Sequence, residues 1–129
     1  MTEKTMGIPN FHDGFFDGFR ITADKAVHLF LRTSDQAAYT LVLTGVRAMR
    51  ISGVMAGNII LDIVVRGAEQ MSAADMGEIY GLPSDASQAL ASLASAREKH
   101  LQLLELNPSY GADGLILFEK LEIAPGKVP

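Results

Sequence analysis

AYTLVLTGVRAMRISGVMAGNIILDIVV, Ala38 to Val65, carries the densest β signal in the chain. It is rich in β-branched and aliphatic residues and has almost no helix punctuation. The clearest alternation runs from Asn58 to Arg66. Ile59, Leu61, Ile63 and Val65 fall on one face of a strand there; Ile60, Asp62, Val64 and Arg66 fall on the other. Upstream, Tyr39, Leu41 and Leu43 share a face before Gly45 interrupts. Val46 to Ile51 then resumes, and a bend at the glycine would let Arg47 and Arg50 both reach solvent. Ser52 to Gly57 reads as a turn. The stretch is therefore expected to form a long hairpin at the centre of an antiparallel sheet. Leu41, Leu43, Ile59, Leu61 and Ile63 should be its buried residues.

Towards the N-terminus, FHDGFFDGFRIT (Phe11 to Thr22) holds two Asp-Gly pairs. The first pair should start a strand and the second should sit inside it. Lys25 to Arg32 is a second strand, with Val27, Leu29 and Leu31 on one face. Residues 1–10 read as a loose terminus. Towards the C-terminus the period changes. Ser72 can cap a helix over Ala73 to Tyr80, with Asp75 in its first turn and Gly81 and Pro83 ending it. Ser84 or Asp85 can cap a second helix, from Ala86 to about His100, with a narrow stripe of Ala86, Leu90, Leu93, Ala94 and Arg97. Leu101 to Leu106 could extend that helix or form a strand; the strand is the preferred reading. A loop over Pro108 to Gly114 then leads to a last strand, Leu115 to Ile123, and a tail from Ala124.

Strands, a helical insertion and further strands make an α+β fold. We expect a mostly antiparallel, curved, meander-type sheet, with an insertion of one or two helices at about residues 72–100 packed on one face. The 129 residues favour one domain, 1–129, large enough to bury a core without staples. No Cys is present, which excludes disulfides, thiolate metal sites and cysteine nucleophiles. A net charge of -4 and scattered basic residues argue against nucleic-acid binding. MTEKTMGIPNF is not a secretory signal, and no apolar run reaches transmembrane length. The expectation is a cytoplasmic protein that binds neither membrane nor nucleic acid.

Catalytic signatures are missing. The glycines are not followed by the Lys-Ser/Thr of a phosphate-binding loop, and Ser109 and Tyr110 have no neighbouring base. Met49, Met55, Met71 and Met76 fit gap-filling core better than a cofactor box, so no cofactor or metal is assigned. His12-Asp13 places an imidazole beside a carboxylate, as a metal site or a general base would need. A structural turn at Asp13-Gly14 is the favoured reading of that pair. Arg20, His28, Arg32, Asp62 and Arg66 share strand parity and could converge on one side of the sheet to bind an anion or an acidic partner. A solvated face with cross-strand ion pairs is the plainer alternative. Phe30, Val42, Ile60, Val64, Ile116 and Phe118 also lie on this parity. That face is too apolar to stand bare on a monomer, so a second copy or a protein partner is expected to cover part of it.

The order FHDGFFDGFRI, then VHLFLR, then YTLVLTGVRAMRI, resembles small bacterial domains of uncharacterised or immunity-protein type. In those a His-Asp dipeptide opens the first strand and a Gly-Val segment follows a strand pair, as Gly45-Val46, Met49 and Ile51 do here. The resemblance covers roughly residues 11–66, with SYG near Ser109 as an echo. It implies a non-enzymatic binding protein that neutralises a toxin partner, and it supplies no catalytic residues. The first functional reading is thus an interaction module, acting with a protein partner or as a homodimer. The rivals are a binder of small molecules, with its pocket between helix and sheet, and a small metal-dependent enzyme using His12 and Asp13.

Overall fold

The computed structural model describes residues 7–127; the expectations for residues 1–6 and 128–129 lie outside the described residues. Eight strands form one antiparallel sheet: β1 Phe15–Ile21, β2 Val27–Arg32, β3 Ala38–Thr44, β4 Ala48–Ser52, β5 Asn58–Gly67, β6 Gln102–Tyr110, β7 Asp113–Phe118 and β8 Lys120–Pro125. Between β5 and β6 come a 3-10 turn at Ala68–Gln70 and two helices, α1 Ala73–Tyr80 and α2 Ser87–Glu98. The fold is α+β, with the helical insertion packed on the sheet as expected. The chain is strand from Gln102, not a continued helix.

Strand order is β4-β7-β6-β5-β1-β2-β3-β8. The first three strands form a meander, but the expected central hairpin does not exist. β4 pairs with β7, and β5 pairs with β1 and β6. The reason lies at Gly45, whose positive φ of 63° lets β3 bend and continue as β4. A Cβ there would also meet the Glu119 side chain at 2.5 Å. β7 likewise runs through Glu119 into β8. Arg47 N–H to Leu117 O (2.8 Å) and Glu119 N–H to Thr44 O (3.0 Å) carry the pairing across both bends. β3–β4 and β7–β8 are thus two bent chains lying antiparallel, and they tie the two ends of the strand order together.

The sheet consequently curls on itself. Leu29, Leu31, Leu41 and Leu43 from β2 and β3 meet Ile60, Leu104, Leu106, Ile116 and Phe118 from the far strands in one buried cluster. Ile60, Ile116 and Phe118, expected on a face needing a partner, are interior here; the curl covers them. Phe30, Val42 and Val64 are half-buried. A second cluster joins Leu103 and Leu117 to Met76, Ile79, Ala89 and Ala96 of the helices. β6 is therefore buried on both faces where it begins, and its adjacent Leu103 and Leu104 are both fully buried, one in each cluster.

Ser72 caps α1 as expected. Its hydroxyl accepts from Asp75 N–H, Asp75 Oδ2 accepts from Ser72 N–H at 2.7 Å, and left-handed Gly81 closes the helix. α2 differs from expectation. Ala86, not Ser84 or Asp85, occupies its cap position and makes no side-chain cap bond. Its inward stripe is Ala86, Ala89, Leu93 and Ala96, while Leu90 is 54% exposed. Alanines on the inward face let the helix approach the sheet closely, and the leucine is left outside.

β5 also departs from its expected parity. Ile60 is 1% exposed, whereas Ile59 is 36% and Leu61 44% exposed. The register slips between Ile60 and Asp62, opposite Pro108. Proline has no N–H to give β5, so the strand bulges at Leu61 and the faces exchange. Ile63 and Val65 then return to the core side. Pro108 also lies within β6, so the expected loop over Pro108 to Gly114 shrinks to Gly111 and Ala112 between strands.

Asn58 fixes this region. Its Oδ1 accepts from Met55 N–H (2.8 Å) and Ala112 N–H (3.0 Å); its Nδ2 donates to Met55 O (2.9 Å) and Phe16 O (3.3 Å). One buried amide thus joins the β4–β5 loop, β1 and the β6–β7 turn.

Candidate functional site

The bulge turns apolar side chains outward. Across the convex face, Tyr110 pairs with Ile59, Ile59 with Phe15, and Phe15 with Arg32. Directly paired residues share a face, so these four form one cross-strand row. Leu61 extends it along β5. Tyr110 is 52% exposed, and the Arg32 guanidinium sits 4.5 Å from the Phe15 ring centre. Further along, Val54 and Met55 of the β4–β5 loop are also exposed.

Polar groups held in place surround the row. Arg32 grips Asp17 with two bonds, Nε to Oδ2 at 2.6 Å and Nη2 to Oδ1 at 2.7 Å. This fork, chiefly through its hydrogen bonds, raises the Arg32 pKa above its ordinary value. Asp17 is free to reach Arg32 because β1 bulges between Phe16 and Gly18. Asp62 Oδ1 accepts from Asn107 Nδ2 at 2.8 Å. His12 Nδ1 lies 2.9 Å from Leu61 O. A carbonyl only accepts, so Nδ1 carries the proton and Nε2 faces Asp13, 3.5 Å away.

His12-Asp13 occupies a turn, as expected. Gly14 N–H closes it on Phe11 O at 2.8 Å, with Asp13 at φ 60°. Asp13 N–H donates to Ile60 O and Ile60 N–H to Gly14 O, both at 2.9 Å, so the turn is laced to β5. Gly14 is required there, because a Cβ would lie 2.3 Å from Arg32 O.

The seven expected site residues do not converge. His12, Asp13, Arg32 and Asp62 border the apolar row. Arg20 and His28 form a separate cross-strand pair, Nη2 to Nδ1 at 3.0 Å. Arginine only donates, so His28 Nδ1 accepts. Arg66 lies at the helical layer. It donates to both Asp75 oxygens (2.8 and 3.0 Å), and its Nε is 2.5 Å from Glu105 Oε2, close enough for an ion pair but off the line of a hydrogen bond. Burial works against the Asp75 carboxylate, yet the Arg66 guanidinium and Ser72 N–H outweigh it and lower its pKa. Bulges and the sheet's curl, invisible to a parity count, separate the seven. Among the described residues no group of three or more His, Asp or Glu side chains is placed to hold a metal ion. None of the described helices is long and apolar enough to cross a membrane.

Sequence reasoning missed the row itself. Ile59 and Leu61 were expected in the core, and Tyr110 in a loop. The available signal was Pro108, a proline inside an otherwise strand-like run.

Comparison with family models, with curated proteins and with solved structures finds no match.

Proposed function

We propose that this chain is a non-enzymatic interaction module, acting in the cytoplasm, that docks a protein partner on the Phe15–Ile59–Leu61–Tyr110 surface. One observation carries the reading: Ile59, Leu61 and Tyr110 stand exposed beside half-buried Phe15 in a single row, bordered by polar groups already fixed in place. Protein interfaces are built in this way, with an apolar centre and a polar rim, and Tyr and Arg are frequent anchors. The rim groups spend little entropy on binding, because Asp17, Arg32, Asp62 and Asn107 are held by their own neighbours. The resemblance to immunity-type domains names the kind of partner, a toxin that the module neutralises by covering it.

The test is co-purification from the source organism with the tagged native chain and with Ile59→Glu/Tyr110→Ala. A partner captured stoichiometrically by the native chain and lost with the variant supports the reading. Equal capture by both, or none by the native chain, overturns it. Light scattering on the same pair identifies the partner as a second copy if the native mass doubles and the variant's does not.

A further inference from the structure

A second constellation lies between the helices and the sheet, on residues outside the apolar row. A cavity of about 250 Å³ opens beneath the last two turns of α2 and the end of α1. Ser92, Ser95 and Lys99, at i, i+3 and i+7, line it from one face of α2. Tyr80 closes it from α1 and Arg47 from the β3–β4 bend, while Leu101 and Leu117 form an apolar floor.

The lining is rich in donors and free of carboxylates. The hydroxyls of Tyr80, Ser92 and Ser95 and the Lys99 ammonium make no hydrogen bond or ion pair to any described residue. Arg47 is paired with Glu119, which stands outside the lining. The end of α2 offers few bare acceptors in return: Lys99, His100 and Leu101 N–H groups occupy the carbonyls of Ser95, Arg97 and Ala96. Two cations and three hydroxyls around one opening match a group with several acceptor oxygens and negative charge. A planar carboxylate would leave part of this donor set unused; a tetrahedral phosphate would engage more of it.

We propose that this cavity binds a small phosphate monoester. Lys99, Arg47 and the two serine hydroxyls hold the phosphate, and the organic body lies on Leu101 and Leu117 beside the Tyr80 ring. The site does not depend on the interaction surface, so Ile59→Glu should leave it intact.

Phenyl phosphate is the probe, titrated into the full chain and followed by amide chemical shifts. Saturable shifts over Ser92–Lys99 and around Leu117 are expected, with phenol shifting none of them and benzoate binding more weakly. Lys99→Gln, an exposed substitution, should weaken binding about tenfold, as the loss of one charge-assisted bond (about 1.4 kcal/mol) does. Glu119→Gln should tighten it by releasing Arg47. No saturable shift up to about 10 mM, benzoate binding as tightly as phenyl phosphate, or Lys99→Gln binding like the native chain would each overturn the assignment.

Discussion

Replacing Asn58 by Ala tests how the convex surface is held. The substitution removes four hydrogen bonds at once. They are not equal. Met55 lies in an exposed loop, so water can replace the bonds to its N–H and carbonyl at little cost. Ala112 and Phe16 are 2% exposed, and their N–H and carbonyl would lose a partner out of reach of water. A buried polar group left unsatisfied costs about 1–3 kcal/mol, so the two together predict a loss of about 2–6 kcal/mol. A domain of this size has roughly 5–15 kcal/mol to lose, so the variant should fold and remain measurable. Urea unfolding should show a lower midpoint at an unchanged slope. Asn58→Asp separates the two halves of the amide. It keeps the acceptor for Met55 and Ala112 but turns an oxygen towards the carbonyls of Phe16 and Met55. It should therefore be at least as destabilised as Asn58→Ala at neutral pH. A loss below about 0.5 kcal/mol for Asn58→Ala, the size of a surface change, would refute the claim that one amide joins these three segments.

The β5 bulge predicts that Ile60→Ala costs about 2–5 kcal/mol by opening a core cavity, while Leu61→Ala costs under about 1 kcal/mol; equal losses in urea unfolding would restore the regular strand. Gly14→Ala puts a Cβ against two backbone carbonyls, at 2.3 and 2.9 Å, and should lower the melting temperature by several degrees, with a cost of about 1–3 kcal/mol. Asp75 has a lowered pKa in the folded chain, so the folded state binds fewer protons there. Its contribution is full above the unfolded carboxylate value of about 3.9 and is lost as pH falls through the lower folded value. The stability gap between native and Asp75→Asn protein should thus narrow from pH 7 to pH 3, and a gap that widens would reverse the sign of the argument.

Much of the fold could be read from local chemistry. The Ser72 cap, the Gly81 stop and the alternation of Val27, Leu29 and Leu31 report interactions a few residues apart, and each stands as expected. The central hairpin failed because SGVMAG looks like a turn between partners, whereas β4 and β5 find theirs elsewhere, on residues that lie up to 69 positions away by the Ala48–Leu117 pairing. Pairing of that range leaves no mark on either strand alone. Ile59 and Leu61 failed for a different reason. Strand parity assumes an unbroken ladder, and the break was written in another strand, at Pro108. Of the candidate site, His12-Asp13 was read correctly as a turn, but the sheet's curl decides which polar groups become neighbours, and composition carries no trace of it.

The continuity of β3 with β4 and of β7 with β8 has a consequence for the order in which the chain can assemble. Tyr39 pairs with Pro125 and Leu41 with Ile123, so the inner leucines of β3 await a segment synthesised some eighty residues later. β1, β2 and β3 can zip together as soon as they emerge, since their turns are short. Their apolar side then has no opposite wall until β5 to β8 arrive. Closing contacts of such long range is slow and leaves hydrophobic surface open in the meantime. While only β1 to β3 are outside the ribosome, the chain would carry a finished meander with a bare inner face, the kind of surface a chaperone recognises. Release of that chaperone should coincide with the appearance of β6 to β8, the strands whose arrival completes the wall and shuts the curl.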